Sequence, residues 1–276
     1  MSGAHSARSL SSRNLSSRTA RTARDLPTRD LSARDLSARG LSLRADGVTL
    51  GYGSGRAVVS GLDLDVASGE VLVVLGPSGC GKSTLLRAFA GLLPVSSGRV
   101  LADGVPVTGT SADRALMFQD DALLPWRTAR RNVELALSLR GVRRAERRAT
   151  AARWLERVGL GDAAGRLPRE LSGGMRQRVQ LARTLAAGPR AILMDEPFGA
   201  LDAQTRATMQ RLLLDVLADA PATVVFVTHD VDEALLLGHR VVVLGAAGVA
   251  AEFPVPASRD RVLAALGART EAREAV

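Results

Sequence analysis

The segment Val71-Leu72-Val73-Val74-Leu75 is apolar without interruption, and Gly76-Pro77-Ser78-Gly79-Cys80-Gly81-Lys82-Ser83-Thr84 follows it directly. An unbroken apolar run of this length predicts a strand buried on both faces, as in a parallel sheet. Behind it, residues 83–90 read as a helix that Gly91 closes. The segment between fits G-x-x-x-x-G-K-[ST] in the strand-to-helix setting that this motif needs. Its glycines let backbone N–H groups curl around phosphates, and the helix start adds a positive dipole end. In such a loop Lys82 reaches the β- and γ-phosphates of a nucleotide, and the Ser83 hydroxyl binds Mg²⁺. The 37 basic residues of the chain are 36 Arg and a single Lys, Lys82. A chance glycine turn gives no reason for the only lysine to stand there.

The rest of the chain supports an α/β reading. Residues 43–50 and 62–66 alternate in a strand-like way and predict an antiparallel β part near the N-terminus. Residues 114–118 read as another short strand, and 130–187 as helical and Arg-rich. Strand and helix then alternate through 191–194, 204–218, 223–227, 231–237 and 240–244. A βα repeat with a helical insert implies a mostly parallel sheet.

At 276 residues, 46% hydrophobic and 24% charged, the composition is that of a globular chain with material for one large domain or two modest ones. Cys80 is the single cysteine, so an intrachain disulfide is excluded and a reducing compartment is favoured. The apolar stretch 241–251 is far short of the ~20 residues of a membrane span. A formal charge of +9 suggests nucleic acid at first. Residues 1–44, however, hold nine Arg and three Asp, leaving 28 basic against 25 acidic residues elsewhere. Most of the excess lies in a tail, and no nucleic-acid partner is expected. The tail repeats Leu26-Pro-Thr-Arg29, Leu31-Ser-Ala-Arg34, Leu36-Ser-Ala-Arg39 and Leu41-Ser-Leu-Arg44. A period of five gathers leucines on no face of a helix or a strand, so residues 1–40 are expected to be disordered, with a weak, salt-sensitive attraction to anionic membrane as the other reading. The first 24 residues have the Arg- and Ser-rich composition of a transit peptide; the missing amphipathic face and Asp25, Asp30 and Asp35 argue against one. From Arg140 to Arg157, seven Arg against two Glu read as a solvated helix face, with lipid headgroup contact as the other reading.

Ala191-Ile192-Leu193-Met194-Asp195-Glu196 is an apolar strand ending in two acids. Beside a phosphate loop, the first carboxylate would hold Mg²⁺ through water and the second would act as base toward the attacking water. Leu171-Ser172-Gly173-Gly174-Met175-Arg176-Gln177 opens a helix whose apolar positions Met175, Val179, Ala182 and Ala186 keep helical spacing up to Gly188-Pro189. Ser172, Gly173 and Gly174 are a second anion site at a helix start, or a plain helix start. One nucleotide does not need two such helices from one subunit, whereas two copies facing head to tail would use both.

In this order the phosphate loop, Leu171-Ser-Gly-Gly and Asp195-Glu196 resemble the nucleotide-binding subunit of an ATP-binding cassette (ABC) transporter, over about residues 41–250. The resemblance implies a RecA-like P-loop core with a mostly parallel sheet and a helical subdomain inserted at about 120–187. Residues 251–276 are then a short C-terminal segment. The ligands implied are ATP and Mg²⁺, with Gly76, Pro77, Ser78, Gly79, Cys80, Gly81, Lys82, Ser83 and Thr84 around the phosphates. Tyr52, the only tyrosine, stands where the family has an adenine-stacking aromatic, a contact worth about 1–3 kcal/mol; a strand-end aromatic is the other reading. Gln119, after Ala115-Leu116-Met117-Phe118, resembles the Q-loop glutamine that senses Mg²⁺ and water. Gly199-Ala200-Leu201-Asp202 resembles the D-loop, which more often starts with Ser. His229 resembles the switch histidine that contacts the γ-phosphate. His5 and His239 lack such a context and read as surface residues.

Phe118-Gln119-Asp120-Asp121-Ala122-Leu123-Leu124-Pro125-Trp126 is similar to importers for taurine, alkyl sulfonates, nitrate and related anions, and Met175 is frequent in that group. The resemblance therefore implies an ATPase that energises uptake of a small anion. Two subunits would sandwich ATP between the phosphate loop of one and Ser172-Gly173-Gly174 of the other. Glu196 would activate water, Asp195 and Gln119 would manage Mg²⁺, and His229 would steady the γ-phosphate. The partners implied are an integral membrane permease and, indirectly, an extracytoplasmic solute-binding protein, with the ATPase peripheral on the cytoplasmic face of the membrane. An ABC ATPase of an efflux system or of a non-transport process is the alternative. A GTPase is excluded, because the guanine-reading Asn-Lys-x-Asp needs a second lysine. Leu124 and Trp126 read either as a rigid knob for a partner's groove or as packing inside the insert.

Overall fold

A computed structural model describes residues 40–52, 57–245 and 248–274, with side chains as far as Gly267. The expected tail, apart from Gly40, lies outside the described residues, as does His5. The chain opens with β1 (Leu43–Leu50) and β2 (Val59–Val66), both alternating between buried and exposed positions. Then come β3 (Val71–Leu75) and α1 (Lys82–Ala90). β4 (Ser97–Ala102) and β5 (Val105–Pro106) form a hairpin around Asp103-Gly104. Both turn residues have positive φ, 48° and 74°, as a two-residue hairpin of matching twist requires. β6 (Arg114–Met117) leads into three helices, α2 (Ala129–Leu139), α3 (Arg144–Arg157) and α4 (Gly173–Ala186). The alternating part follows as β7 (Ala191–Asp195), α5 (Ala203–Asp219), β8 (Thr223–Val227), α6 (Val231–Leu237) and β9 (Arg240–Gly245). β10 (Gly248–Pro254) and α7 (Arg259–Glu274) close the described chain.

The strands make two sheets. One is antiparallel, in the order β2-β1-β4-β5; the other runs β10-β9-β3-β8-β7-β6. Within the second, β9, β3, β8, β7 and β6 are parallel and only β10 pairs antiparallel, on the outer side of β9. β3 lies inside the parallel sheet, which explains its composition. Val71, Val73 and Leu75 enter a core shared with α2, α3, α4 and α5. Leu72 and Val74 point the other way, into a core shared with β1, β2 and α1. With a core on each face, all five residues are buried and no polar alternation survives. Each such buried Val or Leu contributes about 1.5–3 kcal/mol.

Side-chain caps start four of the helices: Thr128 for α2, Ser172 for α4, Asp202 for α5 and Asp230 for α6. α1 opens differently. Gly81 precedes it at φ 102°, with no side-chain cap on the first-turn amides. On α3, Ala151 and Leu155 face inward while Arg143, Arg144, Arg148 and Arg153 are exposed, as either reading of that stretch requires. No helix among the described residues is long and apolar enough to cross a membrane.

Candidate functional site

Because β3, β8, β7 and β6 are adjacent and parallel, whatever follows each of them emerges at one edge of the sheet. The phosphate loop follows β3, Thr228-His229 follows β8, Asp195-Glu196 ends β7, and Gln119 follows β6. Topology thus gathers residues that are far apart in sequence. The loop itself depends on glycine at two close approaches. A Cβ on Gly76 would lie 2.4 Å from the Leu244 carbonyl oxygen, and one on Gly81 would lie 2.2 Å from a Val59 methyl. Their φ values, 151° and 102°, are also unfavourable for other residues. Lys82 is buried, and its Nζ donates to the carbonyls of Gly76 (2.7 Å) and Pro77 (3.0 Å). The ammonium is therefore held at the loop and pointed back across it.

Asp195 hydrogen-bonds the Ser83 side chain, which joins the end of β7 to the start of α1. Burial pushes the Asp195 carboxyl above its ordinary range, the Ser83 bond opposes that, and the negative Glu196 beside it adds to the rise; Arg87 and Lys82 oppose it from a distance. A carboxylate short of positive charge, next to a hydroxyl and a phosphate loop, suits a hard cation. Among the described residues no group of three His, Cys, Asp or Glu side chains could hold a metal alone. Ser83 and Asp195 therefore fit an ion whose remaining ligands are phosphate oxygens and water, as is usual for Mg²⁺.

Glu196 adopts φ 46°, a left-handed conformation that strains a residue with a Cβ by about 1–3 kcal/mol. Its N–H donates to the Val227 carbonyl at 3.0 Å, which locks the turn to the end of β8. The carboxylate lies 3.4 Å from Nδ1 of His229, whose side chain is 73% exposed. Gln119 is exposed in the turn after β6. Tyr52 is half exposed; its hydroxyl accepts from Arg87 Nη1 (3.0 Å) and lies 3.4 Å from Thr84 Oγ1. That leaves the ring at the rim of the loop rather than in the core. His239 is exposed, with Nδ1 accepting the Val71 N–H at 3.0 Å.

Ser172, Gly173, Gly174 and Asp202 form a separate cluster. The Ser172 hydroxyl accepts from the Met175 N–H (3.2 Å), and Gln177 Oε1 accepts from the Ala200 N–H (3.1 Å). A Cβ on Gly174 would meet Leu201 Cδ2 at 3.1 Å and the Ala200 carbonyl at 3.2 Å. The start of α4 thus rests on the segment that leads into α5. Asp202 caps α5, and the Thr205 amide and hydroxyl hold its carboxyl below the usual range.

Several side chains around these clusters have no chemical role in the motifs. Arg176 pairs with Asp121 at 2.5 Å, Gln180 Nε2 donates to the Phe118 carbonyl at 3.1 Å, and Arg183 donates to the Ala122 carbonyl at 2.9 Å. Together they bind residues 118–122, on both sides of Gln119, to α4. Their signal in the sequence is weak: polar residues beside the apolar stripe of Met175, Val179 and Ala182. Arg87, Gln210 and Glu233 gave none.

The ABC transporter family model matches residues 59–199. The chain is 52% identical to the taurine import ATP-binding protein TauB of Chromobacterium violaceum, over 73% of this chain and 78% of that one. It is 50% identical to the protein of the same name from Rhizobium johnstonii, over 70% and 74%. Among solved structures, a dimeric ATP-binding cassette in a post-hydrolysis state, bound to ADP and phosphate, superposes with a TM-score of 0.71. That similarity covers 78% of this chain and all of the other, at 32% identity. Fold and site define a P-loop ATPase. The chain belongs to the ABC transporter family, and its expected α/β class, with a mostly parallel sheet, an antiparallel part and a run of helices between, is the one observed.

Proposed function

We propose that this chain is the ATP-hydrolysing subunit of an importer for a small anion, a sulfonate such as taurine or a related solute such as nitrate. It works as a dimer, peripheral on the cytoplasmic face of a membrane, and drives a separate integral permease that receives solute from an extracytoplasmic binding protein. One observation carries the hydrolytic reading: Lys82, the Ser83–Asp195 pair and the strained Glu196 beside His229 all stand at one edge of the sheet. The direction of transport and the class of solute rest on the relatives' names and on the segment Leu123 to Trp126.

Backbone N–H groups of Gly76 to Thr84 and the ammonium of Lys82 bind the β- and γ-phosphates of ATP. Bound Mg²⁺ supplies charge neutralisation there, and Ser83, Asp195 and Gln119 are the residues to hold it and its water. Glu196 accepts a proton from the water that attacks the γ-phosphorus, while the bond to the ADP oxygen breaks. His229 orients the γ-phosphate, and Tyr52 supports the base. Ser172, Gly173 and Gly174 of one subunit complete the site of the other, and Asp202 lies beside that contact. ATP closes the pair and hydrolysis releases it.

Glu196→Gln should retain ATP binding and lose about 10²–10⁴ of the hydrolysis rate, with ATP holding the dimer closed. Near-normal turnover by the purified variant would remove Glu196 from the base role. The solute is tested by uptake of labelled taurine, an alkyl sulfonate and nitrate in cells carrying either form. Loss of none of these on the substitution would overturn the importer assignment.

A further inference from the structure

Glu233 is a buried carboxylate that the scheme above does not use. It stands on the inward side of α6 with Ala234 and Leu237 and is 7% exposed. A charge in that position is expensive unless it is fully bonded, and an apolar side chain would suit the core better. Both of its oxygens are engaged. Oε2 accepts from the Thr228 hydroxyl at 2.6 Å, and Oε1 accepts from Gln210 Nε2 at 2.9 Å. Thr228 and Gln210 are themselves buried.

This arrangement brackets His229. Thr228 precedes it and is anchored to Glu233. Asp230 follows it, and its N–H donates to the same Thr228 hydroxyl at 3.1 Å. The exposed imidazole is not packed in place, so the backbone on either side must aim it. Gln210 extends the chain of bonds to α5, between the core residues Met209 and Leu213. Arg206, one turn earlier on α5, donates to the Leu201 carbonyl at 3.1 Å. A cavity of about 50 Å³ is lined by Thr228 and Glu233 together with Phe198 and Gly199. The titratable groups around it are Glu196 after β7, Arg206 on α5, His229 and Asp230 after β8, and Glu233 on α6.

We infer that Glu233 and Gln210 are positioning residues for His229, and that their hydrogen bonds tie its aim to α5 and hence to the loop of residues 199–202. The inference rests on the proposed role of His229 at the γ-phosphate. Gln210→Leu keeps the bulk and removes the donor. In the full chain it should lower kcat about tenfold while ATP affinity stays within about twofold. A merely structural role would lower the thermal midpoint and leave kcat, measured well below unfolding, unchanged. Gln210→Glu supplies a second readout if that variant folds poorly. A protonated Glu at 210 donates to Glu233 as the amide does, whereas an ionised one faces a like charge. Its activity relative to the unmodified protein should therefore rise as pH falls from 8.5 to 6.5. Full kcat in Gln210→Leu, or a flat activity ratio across pH in Gln210→Glu, overturns the inference. His229→Ala, run in parallel, separates the two readings. If it keeps full activity, the role of His229 fails; if it loses activity while both Gln210 variants keep it, only the positioning role fails.

Discussion

Asp195 is held against its own charge. Burial raises its pKa above the ordinary value of 3.8, and Ser83, Arg87 and Lys82 only oppose that rise. In the window between 3.8 and the raised folded value, the folded protein binds more protons at this position than the unfolded one. Stability from this group therefore increases as pH falls through that window and is reduced at neutral pH. Asp195→Asn, whose amide oxygen can still accept from Ser83, should raise the thermal midpoint of the nucleotide-free protein by a few degrees at pH 7.5. The gain should shrink toward pH 4, and hydrolysis should be lost at every pH. Scanning calorimetry at three pH values checks it, and a lower midpoint at pH 7.5 would contradict it. At this scale the sequence was legible where residues sit beside a motif. Asp195 and Glu196 stand at the end of β7 and Lys82 follows the loop after β3, so their meeting follows from the parallel topology. Glu233, Gln210 and Arg87 were not legible. A lone polar residue on a helix carries no spacing, and only the packing of α5 on α6, or of α1 on Tyr52, gives it a partner.

Among the elements, the turn between β6 and α2 separates framework from surface most sharply. Asn132 is fully buried, and its amide binds the carbonyls of Leu124, Arg127 and Thr128 and the Leu124 N–H. Trp126, at the tip of the same turn, is 71% exposed. Of the two readings of that tryptophan, packing inside the helices is therefore overturned. Asn132→Ala should cost about 2–3 kcal/mol in chemical denaturation, because it removes four hydrogen bonds to partly buried backbone groups and leaves a gap where a fully buried side chain stood. Trp126→Ala should change stability by less than about 0.5 kcal/mol and leave basal hydrolysis alone. It should abolish stimulation by the permease. Equal destabilisation by the two changes would refute this division. The central strands and the α1, α5 and α6 helices were readable from apolar runs and glycine stops. β4, β5 and β10 carry no such signal. Asp103-Gly104 is a recognisable hairpin turn, but β5 is only two residues long and β4 exposes half its positions, so no periodicity drew attention to them.

For the molecule as a whole, charge is unevenly spread. Residues 1–39 hold eight Arg and three Asp, and residues 120–187 hold 15 Arg against seven acids. The described fold takes hold at Gly40, whose carbonyl accepts from Ser68 Oγ (2.6 Å) and from Arg190 (3.2 Å). A Cβ there would lie 2.3 Å from the Gly69 nitrogen. A chain beginning at Gly40 should therefore hydrolyse ATP as fast as the full chain. It should lose only a salt-sensitive attraction to vesicles of phosphatidylglycerol, to which each Arg contributes about 1 kcal/mol. A drop in its basal turnover would mean that the preceding residues support the fold. The same abundance of arginine makes the composition a record of geometry. Wherever this protein needs only the sign of a charge, a guanidinium serves. Between the Gly76 and Pro77 carbonyls stands a compact ammonium with three movable donors, a geometry that a planar fork does not reproduce. The one position where the alphabet of this chain had to widen by a letter is the position where shape, and not charge alone, is being selected.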